Sequence, residues 1–124
     1  MKGFGKTIKL FLIDGEPNGR MSCELSNWTG KAFKIPRKQI KESSTRTELH
    51  GPGVYILFGK ADSSGQSFAY IGEAEAIHKR LTQHLASKDF WNEVIVFISK
   101  DDNLNKAHIK FLESRLYEIA LSVN

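Results

Sequence analysis

Five side chains in the second half of the chain have types that can do chemistry together: Tyr55, Tyr70, Arg80, His84 and Glu113. As a set they could hydrolyse a phosphodiester. A carboxylate can hold one Mg2+ or Mn2+ that polarises the scissile phosphate. A guanidinium neutralises charge on the phosphoryl oxygens. A phenol or an imidazole can take the proton of an attacking water. Each residue also has an ordinary structural explanation. Two tyrosines in a hairpin can be a cross-strand aromatic pair. An arginine or histidine at the edge of a helical stripe can keep its polar end in water. A carboxylate at a core margin can pair with Arg80 or a lysine.

The elements that would position these groups are legible in outline. GVYILFGKADSSGQSFAYIGEA, residues 53–74, alternates on both sides of a polar loop and predicts two antiparallel strands. With the loop centred near residues 62 and 63, Tyr55 faces Tyr70, and Tyr55, Leu57, Phe68 and Tyr70 share one face. A helix comes next over about residues 75–86, its apolar stripe formed by Ile77, Leu81 and Leu85. Arg80 and His84, four apart, stack on the same inward-leaning side. Residues 89–91 read as a connector or one helical turn, and EVIVFIS, residues 93–99, reads as a buried β-branched strand. Asp101, Asp102 and Asn103 then offer caps for a last helix reaching about Leu121, with Glu113 at the margin of its apolar face.

The first half reads differently. KTIKLFLID alternates as a strand, residues 14–19 (DGEPNG) are a turn cluster, and residues 20–25 alternate again. Pro36 suits the first turn of a short helix from Arg37 to about Ser43. Residues 31–46 hold six basic residues and one acid, whereas the whole chain carries +4, so the basic excess sits in this one segment. Lys31, Lys34, Arg37, Lys38 and Lys41 fall largely at three- and four-residue steps and predict a partly one-sided basic strip. Such a strip suits a polyanion such as DNA, through backbone contacts that weaken with salt. The polar stretch 42–52 marks a seam, dividing the chain into an accessory region, 1–50, and a second unit, 51–121. No run of apolar residues is long enough to span a membrane. The short apolar stretch near the N-terminus is interrupted by Lys9 and reads as a strand rather than a signal peptide. One cysteine, Cys23, excludes an intrachain disulfide and a cysteine zinc site and suits a reducing, cytoplasmic setting.

The tripeptides Gly53-Val54-Tyr55 and Tyr70-Ile71-Gly72 resemble the signature of the GIY-YIG nuclease superfamily, with Val for Ile in the first. Arg80 comes on the first helix, His84 lies one turn later, and Glu113 falls in the last helix, in the order of that family's motif residues. The resemblance covers about residues 51–121. It implies an α+β fold with a three-stranded antiparallel sheet flanked by helices, here preceded by the N-terminal hairpin and basic helix. It implies a metal-dependent DNA endonuclease, of the kind used in repair, restriction or mobile-element processing. Carried over by position, Glu113 holds Mg2+ or Mn2+, Tyr55 is the general base and Tyr70 orients phosphate or water. Arg80 stabilises the pentavalent charge and His84 assists Tyr55 or touches phosphate. Gly53 and Gly72 take backbone roles. Some branches carry lysine directly after the second tripeptide, where this chain has Glu73. Family members often pair the nuclease core with a separate targeting domain, which would lie outside this chain. The alternative is a non-catalytic nucleic-acid-binding domain on the same fold.

Overall fold

A computed structural model describes residues 5–26, 29–60 and 67–99. Glu113 and the last helix fall outside these residues. The described chain is α+β: a single six-stranded antiparallel sheet with one α-helix. The strands are β1 (Ile8–Leu12), β2 (Met21–Leu25), β3 (Gly30–Pro36), β4 (Gly53–Lys60), β5 (Ser67–Ala74) and β6 (Trp91–Ser99). The helix, α1, is Ile77–Ser87. The spatial order is β1-β2-β3-β6-β4-β5.

This order corrects the expected three-stranded sheet. β4, β5 and β6 do form adjacent strands, but β6 also pairs with β3 from Pro36↔Glu93 to Gly30↔Ser99. The N-terminal strands therefore extend the same sheet, which runs across the seam at 42–52. The helix expected from Arg37 to about Ser43 is present only as short 3-10 turns, and the basic residues before it are in a strand. Residues 31–36 are the greater part of β3, and three short 3-10 turns come after it, Arg37–Gln39, Glu42–Thr45 and Thr47–His50. The alternation of Phe33 and Ile35, both buried, outweighs the helical spacing of the charges. Pro36 both ends β3 and caps the first 3-10 turn, Arg37–Gln39. The connector 88–90 forms no helical turn, and the strand after it begins at Trp91.

The main core cluster lies on one face of the sheet, and Val54, fully buried, points to the other. Residues of three strands point into the cluster: alternate Phe33 and Ile35 from β3, Tyr55 and Leu57 from β4, and Val94, Val96 and Ile98 from β6, with Trp91 joining them across the irregularity opposite Gly59. Ile77 and Leu81 of α1 cover them, joined by Ile40 and Leu49 from the turns. Sixteen residues separate β3 from β4, long enough to carry this cap over the sheet while β6 fills the slot between those strands. The β1–β2 turn is held by Asp14, whose carboxylate accepts from the Arg20 amide at 2.8 Å, Arg20 Nη2 at 2.7 Å and Gln39 Nε2 at 2.8 Å. The side-chain bonds from Arg20 hold the Asp14 carboxyl well below the usual carboxylate range.

Candidate functional site

The hairpin register brings the two glycine-containing tripeptides together, offset from the expected pairing. Tyr55 faces Gly72, and Leu57 faces Tyr70. The expected Tyr55–Tyr70 pairing is thus shifted by two residues. A shift of two preserves the face, so Tyr55 and Tyr70 still point to the same side.

The shift gives Gly72 a physical reason. A Cβ at Gly72 would lie 2.5 Å from Tyr55 Oη and 2.6 Å from Tyr55 Cζ. The phenol of Tyr55 therefore lies across bare backbone, and any side chain at 72 would displace it. Gly53 answers a different need. A Cβ there would meet the Phe97 carbonyl oxygen at 2.6 Å and Ile77 Cγ1 at 3.0 Å, so glycine lets β4 approach β6 and α1. The Gly51 carbonyl, just before β4, accepts the Ile77 amide at 3.0 Å and so fixes the start of α1 against the strand.

His84 enters from α1. It continues the stripe of Ile77 and Leu81, and it is buried with them. Its Nε2 is 2.7 Å from Tyr55 Oη in a buried hydrogen bond. Nδ1 is buried and has no hydrogen-bond partner among the described residues. Burial, followed by the positive charges of Lys88 and Arg80, lowers the pKa of His84 from its ordinary 6.5. The ring is therefore neutral at pH 7 and available as a proton acceptor. Tyr70 completes a three-ring cluster: its centroid is 6.4 Å from that of Tyr55 and 5.4 Å, edge-on, from that of His84. Tyr55 is 1 % exposed and Tyr70 39 %. The phenol open to solvent is that of Tyr70, with the Tyr55–His84 pair behind it.

The lowered pKa makes stability depend on pH. As pH falls below 6.5, the unfolded histidine takes up a proton before the folded one does, so the native state loses stability until the folded pKa is passed. Above 6.5 this contribution is fully present. Urea midpoints should drop more for the wild type than for His84→Gln between about pH 7 and about pH 5. Equal drops would show that His84 titrates alike in both states.

Arg80 lies one turn before His84 but does not join the ring cluster. It is exposed, its Nη1 is 3.4 Å from the Glu73 carbonyl oxygen, and it lines a cleft with Glu73, Glu75, Lys79 and Gln83. Its charge is nonetheless felt at His84. Among the described residues no group of three or more His, Cys, Asp or Glu could hold a metal ion.

The basic segment does not form the expected one-sided strip. Strand alternation puts Lys31 and Lys34 on opposite faces of β3. Lys31 pairs with Glu48 at 2.7 Å and lies over the Phe33 ring, and Lys34 stands 3.8 Å from Glu93. Arg37 is structural. Its guanidinium donates to the carbonyls of Leu85 at 2.9 Å, Lys88 at 2.8 Å and Trp91 at 3.1 Å, and it stacks on the Trp91 ring at 4.5 Å. It thereby satisfies carbonyls at and just beyond the end of α1. Lys38 and Lys41 are exposed.

Two residues near the rings escape a sequence reading. Trp91 Nε1 donates to the His84 carbonyl at 3.4 Å, a contact between residues of different elements that no local pattern signals. Lys88 Nζ lies 4.7 Å from the Tyr70 ring centroid. Its position four residues after His84 is a legible hint of proximity. No protein-family model matches the chain, and neither a curated protein nor a solved structure was found to match it.

Proposed function

We propose that the chain is a divalent-metal-dependent endonuclease that hydrolyses DNA phosphodiesters in the manner of the GIY-YIG superfamily. The observation that carries this reading is the buried Tyr55–His84 hydrogen bond of 2.7 Å, laid across the bare backbone of Gly72. The pair gives the phenol oxygen a neutral imidazole acceptor, as a proton relay needs, and Gly72 leaves the room in which the phenol lies. In this reading β4, β5, β6 and α1 are the nuclease core and β1–β3 extend it.

The roles are those the GIY-YIG resemblance implies by position, set against the exposure and charge of each group. Tyr70, the accessible phenol, orients the incoming phosphate or water. Tyr55 gives its hydroxyl proton to neutral His84 Nε2 and takes the proton of the attacking water in its place, so the imidazole ends as the proton carrier. Arg80, exposed one turn away, neutralises charge gathering on the phosphoryl oxygens. The described side chains around the rings supply phenols, an imidazole and cations but no cluster of oxygen anions. The carboxylate for a hard cation would come from Glu113, and the ion would supply Lewis-acid polarisation of the phosphate. The Glu73 carbonyl oxygen, 3.4 Å from Arg80 Nη1, holds this guanidinium beside the cleft.

The test is nicking of plasmid and branched DNA with Mg2+ or Mn2+, beside Glu113→Ala and Arg80→Ala. Each substitution should lower the rate on the order of a hundredfold or more, as expected for loss of a group that stabilises developing charge. Nicking that survives both substitutions would place the activity elsewhere. DNA binding without any nicking would leave a binding domain on the same fold.

A further inference from the structure

β5 leaves two large aromatic side chains in water beside the ring cluster. Phe68 is 45 % exposed and Tyr70 39 %. They are two residues apart on one strand, so both rings project from the same face of the sheet. β5 is an outer strand, so the side of this pair away from β4 is open among the described residues. Across the ladder Phe68 faces Gly59, which offers no side chain to cover it. Gly59 itself is fixed by a different constraint, the close approach of the Phe90 carbonyl, so the uncovered phenyl ring is a consequence of the local backbone. Lys88, with its ammonium 4.7 Å from the Tyr70 ring centroid, puts a cation at the edge of the same patch.

Resting on the nuclease reading, we propose that Phe68 and Tyr70 form a stacking platform for an unpaired nucleotide adjoining the phosphate held at the site, so that the substrate is single-stranded or locally unpaired DNA. Side chains two apart on a strand are separated by about 6.6 Å. That is close to twice the ~3.4 Å spacing along a nucleic-acid strand, the width of one base between two aromatic groups. Every base has a π-face, so the platform accepts any sequence. A paired duplex keeps its bases stacked within the helix and cannot present one to Phe68. Lys88 flanks the patch and favours the phosphates that accompany such a base. Phe68 also has no part in the proton and charge chemistry assigned to its neighbours, which separates binding from cleavage.

The experiment measures binding in chelator, where cleavage does not intervene. Fluorescence anisotropy of labelled oligo(dT) of about 15 nucleotides, within the site size of a single-strand binding surface, is compared with a duplex of the same length. The wild type should bind the single strand more tightly. Phe68→Ala and Phe68→Leu should both weaken single-strand binding roughly five- to 150-fold, the loss expected for one stacked base, with duplex binding within about twofold. Phe68→Trp should retain it. The leucine variant keeps apolar volume without a π-face, so its failure to bind isolates stacking from packing. Single-strand affinity unchanged in Phe68→Ala, or an equal loss on duplex, would overturn the platform. Because no metal is present, that outcome is independent of whether the protein nicks DNA.

Discussion

Tyr55→Phe should abolish most DNA nicking while leaving the protein folded. The ring volume is kept in a position that is only 1 % exposed, so packing around β4 and α1 is retained. The hydroxyl that meets His84 Nε2 at 2.7 Å is lost. If that phenol takes the proton of the attacking water, its removal should cost on the order of 10²- to 10⁴-fold in rate. The stability cost should be smaller, about 1–3 kcal/mol, because His84 is left with a buried nitrogen lacking its partner. Nicking rates at saturating metal give the first quantity and urea midpoints the second. A Tyr55→Phe protein that loses stability but cuts DNA at the wild-type rate would return the tyrosine to the role of core aromatic.

Gly59→Ala should produce the largest loss of stability of any single methyl added to the hairpin. A Cβ at Gly59 would fall inside the van der Waals surface of the Phe90 carbonyl oxygen and within 2.8 Å of Trp91 Cα. The obstacle is backbone, so no rotamer change relieves it. The β4–β6 pairing shifts register between Phe58 and Gly59, where the chain leads into Trp91. Moving Phe90 would therefore disturb Trp91, which stacks with Arg37 and bonds the His84 carbonyl. A loss of about 3 kcal/mol or more is expected, at the upper end for overpacking. Gly51→Ala is the matched control: nothing lies within 4 Å of its Cβ and its φ is −96°, so a change within about 0.5 kcal/mol is expected. Thermal or urea unfolding of the two variants separates the effects. Equal stabilities would mean that Phe90 yields freely.

The hairpin and α1 were legible because their signals are local. Alternation on each side of a polar loop marks the strands, and the spacing of Ile77, Leu81 and Leu85 marks the helix and its inward side, on which His84 is buried but Arg80 is exposed. The pairing differs by two residues from the one the sequence predicts, because the loop centre sets register and the polar run from Lys60 to Gln66 has no single turn motif. Since two residues is one full strand period, both tyrosines keep the predicted face. β3 was hidden by its own charges. Lys31, Lys34, Arg37 and Lys38 are spaced as on a helix, whereas the deciding residues, Phe33 and Ile35, are only two. The pairing of β3 with β6 joins residues about sixty positions apart, and no local pattern specifies such a partner. Arg37 illustrates the same limit. As a cation in a basic run it resembles a phosphate ligand, yet its three carbonyl acceptors come from the end of α1 and the start of β6. Gly72 was readable as special, but the reason, the Tyr55 phenol lying over it, depends on the register.

The most direct measurement is the conversion of supercoiled plasmid by the wild-type protein with Mn2+ or Mg2+, run beside an identical reaction in chelator. Nicked circles should accumulate with metal, be absent in chelator, and be lost in Tyr55→Phe. Plasmid left intact with either metal, or nicked equally in chelator, would contradict a metal-dependent nuclease built on the Tyr55–His84 pair.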